Sequence, residues 1–219
     1  MPPRIKPLKT ASSRELGHGR ILIVCEGKQT EPNYFNKFRE RLLALKKNRT
    51  EDIVIDILPA KHPAAKHVFD DARQKKESIT PRYSEVWCVF DKDKNIDDLY
   101  NQLIAKRAKE ESIHIAYSNP CFELWFLLHF DYCDSQLSGK DCEKKLCSRM
   151  QDYSKTDAGL FDKFADKQAT AIKHAETLIK MWEGKTDFAK HNPSTTVHEL
   201  VTRLNDYLKQ VEGMVSNNN

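Results

Sequence analysis

Val86-Trp87-Cys88-Val89-Phe90-Asp91-Lys92-Asp93-Lys94-Asn95 is the stretch that decides the fold. Five apolar residues in succession, β-branched and aromatic ones among them, read as a strand covered on both faces, the mark of a parallel sheet. The run then stops abruptly in charge. Upstream, Ile21-Leu22-Ile23-Val24-Cys25 repeats the pattern and stops in Glu26-Gly27. Ile53 to Leu58 alternates around Asp56, and Ile113 to Tyr117 gives a fourth strand. Helices fit between them. Thr30-Glu31-Pro32 opens one, with Thr30 as a cap and Pro32 in the first turn, and its apolar stripe is Tyr34, Phe35, Phe38, Leu42 and Leu45. Ala64 to Lys76 and Asp97 to Lys109 read as two more, and Ser118-Asn119-Pro120 starts a fourth that contains Phe122, Trp125, Phe126, Leu128 and His129.

Strand and helix thus alternate four times, which predicts an α/β fold: a mostly parallel four-stranded sheet with helices on both faces. Beyond residue 138 the strand pattern ends. Asp141 to Met150, Phe164 to Trp182 and Ser194 to Val211 read as helices, either a cap or further layers on the sheet. Four regions are expected: a flexible basic arm over 1–19, an α/β core over 20–137, a helical extension packed on it over 138–215, and a disordered tail over 216–219.

With 219 residues, 39% hydrophobic and 31% charged, the chain can bury one sizeable core under a charged surface. A net charge of +4 is too mild to demand a nucleic-acid partner by itself. No apolar run approaches the ~18–20 residues of a membrane span, and residues 1–20 lack the apolar segment of a signal peptide. Cys25, Cys88 and Cys121 lie in apolar runs, and none of the six cysteines forms a C-x-x-C pair. They read as reduced thiols of a cytoplasmic protein, with a zinc site from Cys133, Cys142 and Cys147 as the lesser alternative. Nothing in the sequence sets the oligomeric state.

In open parallel sheets, ligands bind outside the carboxyl ends of the strands. Acids stand at two such ends: Glu26 after the first strand, Asp91 and Asp93 after the third. On an extended backbone i and i+2 point the same way, so Asp91 and Asp93 are expected to converge. Three carboxylates offer hard oxygen ligands suited to Mg²⁺ or Mn²⁺, and Gly27 lets the chain turn and a phosphate approach. Such an ion polarises a phosphoryl oxygen and acidifies bound water. Lys28, Lys92 and Lys94 flank the acids and are candidates for holding phosphate. Acids after strands also cap helices or sit in solvated loops, and either motif alone carries little weight.

Here the residues carry a resemblance. Val24-Cys25-Glu26-Gly27-Lys28-Gln29-Thr30-Glu31-Pro32-Asn33-Tyr34-Phe35, Val89-Phe90-Asp91-Lys92-Asp93, Ser118 to Phe130, and Asn192-Pro193-Ser194-Thr195-Thr196-Val197 resemble, in order, four motifs of the RloB family. The resemblance spans roughly residues 20–205. It implies a Toprim-like core, the fold of topoisomerases, primases and OLD-family nucleases, in which Glu26, Asp91 and Asp93 would handle metal and phosphodiester. It also implies Mg²⁺-dependent nuclease activity on DNA or RNA in prokaryotic phage defence, at abortive-infection or restriction loci that often carry an ATPase gene. An ATPase is then an expected partner.

Glu31 and Glu123 join as candidate metal residues. Glu31 also suits a helix N-terminus, and Glu123, set among Phe122, Leu124, Trp125 and Phe126, is costly unless exposed or paired. Asn119 is a candidate phosphate contact, though capping accounts for it. His129 reads as structural, Lys155 as a solvated lysine with a phosphate contact as the sharper account, and Ser194 as an N-cap. Two other functions compete. A haloacid-dehalogenase-type phosphatase fits poorly, because the motif follows the third strand and residue 95 is Asn. A non-catalytic nucleic-acid-binding or regulatory subunit of an ATPase complex is the main alternative.

Overall fold

The structure is a computed structural model that describes residues 19–46, 54–80, 82–93, 95–106 and 113–216. The expected arm over 1–19, apart from Gly19, lies outside the described residues, as do Lys94 and all of the expected tail but Ser216.

Strands β1 (Arg20–Cys25), β2 (Val54–Pro59), β3 (Glu85–Asp91), β4 (Ile113–Asn119) and β5 (Ser194–Thr195) form one sheet in the order β2-β1-β3-β4-β5. The first four are parallel, with Ile23 paired to Ile57 and Trp87, and Phe90 to Tyr117. Helices α1 (Thr30–Lys46), α2 (Ala65–Ser78) and α3 (Asp97–Lys106) make the crossovers. Then follow α4 (Glu123–Leu127), α5 (Gly139–Arg149), α6 (Leu160–Phe164), α7 (Gln168–Met181) and α8 (Val197–Ser216).

The continuous apolar runs fold this way because both faces of the sheet are covered. Ile21, Ile23, Cys25, Trp87 and Val89 point to a layer containing Tyr34, Phe35 and Phe38 of α1 and Leu200, Leu204 and Tyr207 of α8. Leu22, Val24, Val86, Cys88 and Phe90 point the other way, onto Val68 and Phe69 of α2 and Tyr100 and Leu103 of α3. The helices after residue 138 share the first of these cores, so they are layers on the sheet. No described helix is long and apolar enough to cross a membrane.

The sheet has five strands, which corrects the expected four. β5 runs antiparallel to β4, pairing Thr195 with Ser118 and Ser194 with Asn119. Two residues carry no periodicity, and hydroxyls replace apolar packing. Thr195 Oγ1 donates to Tyr117 O at 3.0 Å, and Thr196 Oγ1 accepts from Tyr117 N at 3.0 Å. Ser194 is therefore a buried edge-strand residue whose hydroxyl donates to His191 O at 2.6 Å, not the cap of α8. The helix expected over 164–182 is broken by a 3₁₀ turn at Ala165–Lys167.

Candidate functional site

At the carboxyl end of the sheet, Glu26 continues the β1–β3 ladder, its N–H donating to Val89 O at 2.9 Å. Its Oε2 accepts from Asp91 N at 3.0 Å, so the last residue of β3 is held by the carboxylate that follows β1. Gly27 N donates to Glu31 Oε1 at 3.1 Å. A Cβ on Gly27 would run into that carboxyl group, so the glycine is what lets the first turn of α1 bring Glu31 this close. Glu31 is buried, and so is Glu123, the first residue of α4. The turn that carries Glu123 is tied to β3 through Lys92 N on Ser118 O at 2.8 Å and Asp93 N on Pro120 O at 3.0 Å.

Four carboxylates lie within electrostatic reach here, and their charges act on Asp91 and Glu31. Burial, then the charges of Glu31, Glu123 and Glu26, raises the Asp91 carboxyl well above its ordinary range. Asp91 Oδ1 is a buried atom with no hydrogen-bond partner among the described residues. Burial also lifts Glu31 to about 6, with the Glu123 and Glu26 charges adding to it and backbone N–H groups working the other way. Lys155 Nζ lies 3.0 Å from Glu123 Oε1 and 3.7 Å from Glu143 Oε2. Burial works to lower the Lys155 ammonium, but these carboxylates outweigh it and raise it. Among the described residues no group of three or more His, Cys, Asp or Glu side chains is placed to hold a metal ion.

The other candidates are placed differently. β3 ends at Asp91 and the backbone turns, so the extended i, i+2 relation to Asp93 is not kept. Asp93 is exposed, its Oδ2 3.6 Å from where a Cβ on Gly139 would lie. Lys28 is exposed, and Lys94 lies outside the described residues. Lys92 is engaged elsewhere, its Nζ 2.8 Å from both Asn95 O and Asp97 Oδ1. Asn119 is buried and gives its amide N–H to Ala189 O at 3.0 Å. His129 is buried with Nδ1 2.9 Å from Trp125 O, and burial lowers its imidazole to about 4. All six cysteines are free thiols, and Cys142 is buried beside Cys121 whereas Cys147 is exposed.

The sequence reads Lys155 as solvated, yet the structure seats it on a buried carboxylate 32 positions earlier. No local pattern announces such a pair. The only hint was that Glu123, in an aromatic helix, needed a partner. Tyr153, two residues before Lys155, was not singled out. Its hydroxyl is buried without a hydrogen-bond partner, and burial, then Glu123, pushes it well up.

A family model described as RloB-like protein matches residues 21–204. No curated protein and no solved structure matches the chain. The match covers both acidic strand ends, the turn that carries Glu123 and the β5 edge, and the chain belongs to the RloB-like protein family.

Proposed function

We propose that the carboxyl end of the sheet is the active site of a Toprim-like, Mg²⁺- or Mn²⁺-dependent nuclease that hydrolyses DNA or RNA in prokaryotic phage defence of the abortive-infection kind. The observation that carries this reading is the buried, unpartnered Oδ1 of Asp91 beside three further carboxylates. Like charges crowd together out of water only at a cost, and a cation removes that cost. The donor set is all oxygen, which suits a hard divalent ion. Glu26, Asp91, Glu31 and Glu123 would hold it, with Asp93 adding a carboxylate on the exposed rim.

When bound, the ion would polarise a phosphoryl oxygen and acidify a water. The chain's own groups do the rest. Glu26 fixes the Asp91 backbone through its Oε2 and serves as ligand or general base. Gly27 keeps Glu31 within reach of the strand ends. Lys28, exposed to solvent, is the phosphate-side residue of this reading, whereas Lys92 and Asn119 are engaged within the chain and Lys94 lies outside the described residues.

The test is cleavage of labelled DNA and RNA by the full chain with Mg²⁺ or Mn²⁺. Asp91→Asn is expected to lower the rate by more than about 100-fold, beyond what loss of a merely supporting residue does. Equal rates for the two proteins remove Asp91 from the chemistry. A second reading, a binding or regulatory subunit of an ATPase complex, draws on the absence of a closed ligand set among the described residues. Salt-sensitive nucleic-acid binding without turnover, with co-purification of an ATPase, would favour it.

A further inference from the structure

Resting on the nuclease reading, we propose that Lys155 is the phosphate-positioning residue of this site, a cation seated on Glu123 in the substrate-free protein that exchanges this carboxylate for a phosphodiester oxygen when nucleic acid binds.

Three observations lead there. First, the ammonium is placed at the acids but not locked among them. Its side chain is 46% exposed while that of Glu123 is 6% exposed, so Lys155 reaches the buried acid from the solvent side, where a substrate must arrive. Second, the Lys155 backbone is anchored independently of the ammonium. Thr30 Oγ1 donates to Lys155 O at 3.1 Å, and Asn33 Nδ2 donates to Thr156 O at 3.4 Å. Both donors belong to the first turn of α1, which also carries Glu31, so the loop is fastened to the helix that helps build the site. The flexible four-carbon stem can swing while its Cα stays at the mouth of the acids. Third, the same loop brings the buried, unpartnered hydroxyl of Tyr153 to the Glu123 side, so the loop's contribution there is polar and not filled by the chain itself.

Charge accounts for the exchange. A divalent cation among the acids supplies the compensation that Lys155 gives Glu123 alone, and a lysine is a compact point charge suited to one phosphate oxygen. The exposed Glu143, 3.7 Å from the ammonium, offers a second resting position and lowers the cost of leaving Glu123.

The experiment measures two bindings separately on the full-length protein. Anisotropy of a fluorescent single-stranded oligonucleotide, DNA and RNA in turn, is followed with Ca²⁺ in place of Mg²⁺ across a salt series. The Mg²⁺-induced rise in Tm is read without any oligonucleotide. For Lys155→Met we expect roughly 10-fold weaker oligonucleotide binding, a salt slope smaller by about 0.7–0.9, as for one lost phosphate contact, and a Mg²⁺ response equal to or larger than wild type. Lys155→Arg should restore the oligonucleotide binding. Unchanged oligonucleotide affinity in Lys155→Met overturns the proposal, and so does a lost Mg²⁺ response, which would make Lys155 a clamp for the acids. Absence of cleavage by wild type with both bindings intact would count against the nuclease reading alone. A wild type that binds neither oligonucleotide overturns both.

Discussion

β3 carries an acid at each end, Glu85 buried and Asp91 half-buried with its Oδ1 out of water, and the two ends treat their acids in opposite ways. At the amino end Glu85 accepts from Arg203 Nε at 2.8 and 3.1 Å, from Tyr207 OH at 2.9 Å and from Trp87 Nε1 at 3.3 Å, with a further contact from Arg203 Nη2. Burial pushes this carboxyl up, but Arg203, Tyr207 and Trp87 outweigh it and hold it below the ordinary range. Six residues on, at the carboxyl end, Asp91 has an oxygen with no partner and three like charges around it. The Arg203 end is an ion pair complete within the chain, and it fastens α8 to the sheet. The Asp91 end is a set of like charges with an unpartnered oxygen, which under the proposed function a divalent cation would complete. Burial alone does not separate the two acids, but the accounting of their hydrogen bonds and neighbouring charges does.

The largest break in this comparison should come from Arg203→Ala. Removing one partner of a buried pair leaves Glu85 uncompensated, and about 3–5 kcal/mol of stability should go, read by urea unfolding. A cost under about 1 kcal/mol would mean the amino end is not held by this pair, and the contrast would collapse.

The pH dependence should have opposite sign at the two ends. Glu85 has a lowered folded pKa, so its contribution is present above the unfolded value and lost as pH falls through the folded one, in the acid range below ~4. Glu31 has a folded pKa raised to about 6, so its contribution is full below the unfolded value near 4.5 and is lost as pH rises through 6. On the order of 2 kcal/mol should disappear across that upper window. Glu31→Gln should flatten the upper arm and leave the acid arm intact. Urea midpoints from pH 3 to 8 would show either two arms or none.

The smallest effect should be the most telling in sign. Asp91→Asn is expected to raise stability at pH 7.5 by about 1 kcal/mol, because it removes a like charge, while abolishing the Tm gain expected of wild type with Mg²⁺. If Asp91→Asn destabilises instead, the carboxyl end is held together as the amino end is, and the two are not different in kind.

What could be read in advance follows from the range of each interaction. β1 and β3 were plain because a continuous apolar run is a local signal, and Glu26 and Asp91 were found because they end those runs. Glu123 stands out by the cost of an acid in an apolar setting and Glu31 by its place at a helix start just after Glu26, and both are buried. Asp93 was assigned the direction of Asp91 on the premise that the strand continues, but β3 stops at Asp91, and a strand's last residue is the least legible thing about it. Gly27 was credited with a turn, whereas the structure adds a carboxyl group that leaves no room for a Cβ. Pairs such as Glu85 with Arg203 and Glu123 with Lys155 join residues far apart in the chain and have no signature until the fold brings them together. β5 was invisible because its two residues are held by hydroxyl hydrogen bonds, not by a hydrophobic pattern.

That short antiparallel edge bears on how the protein is made. β4 ends at Asn119, and its outer edge is covered toward that end by Ser194, Thr195 and Thr196. On the ribosome, at roughly 5–20 residues per second, the covering residues appear on the order of ten seconds after β4 itself. For that interval the nascent chain displays an open strand edge, a template for pairing with a neighbouring chain on the same message. The residues that end this exposure are thus made well after the strand they cover, and variants that weaken Thr195 or Thr196 are expected to prolong it and to raise co-translational aggregation.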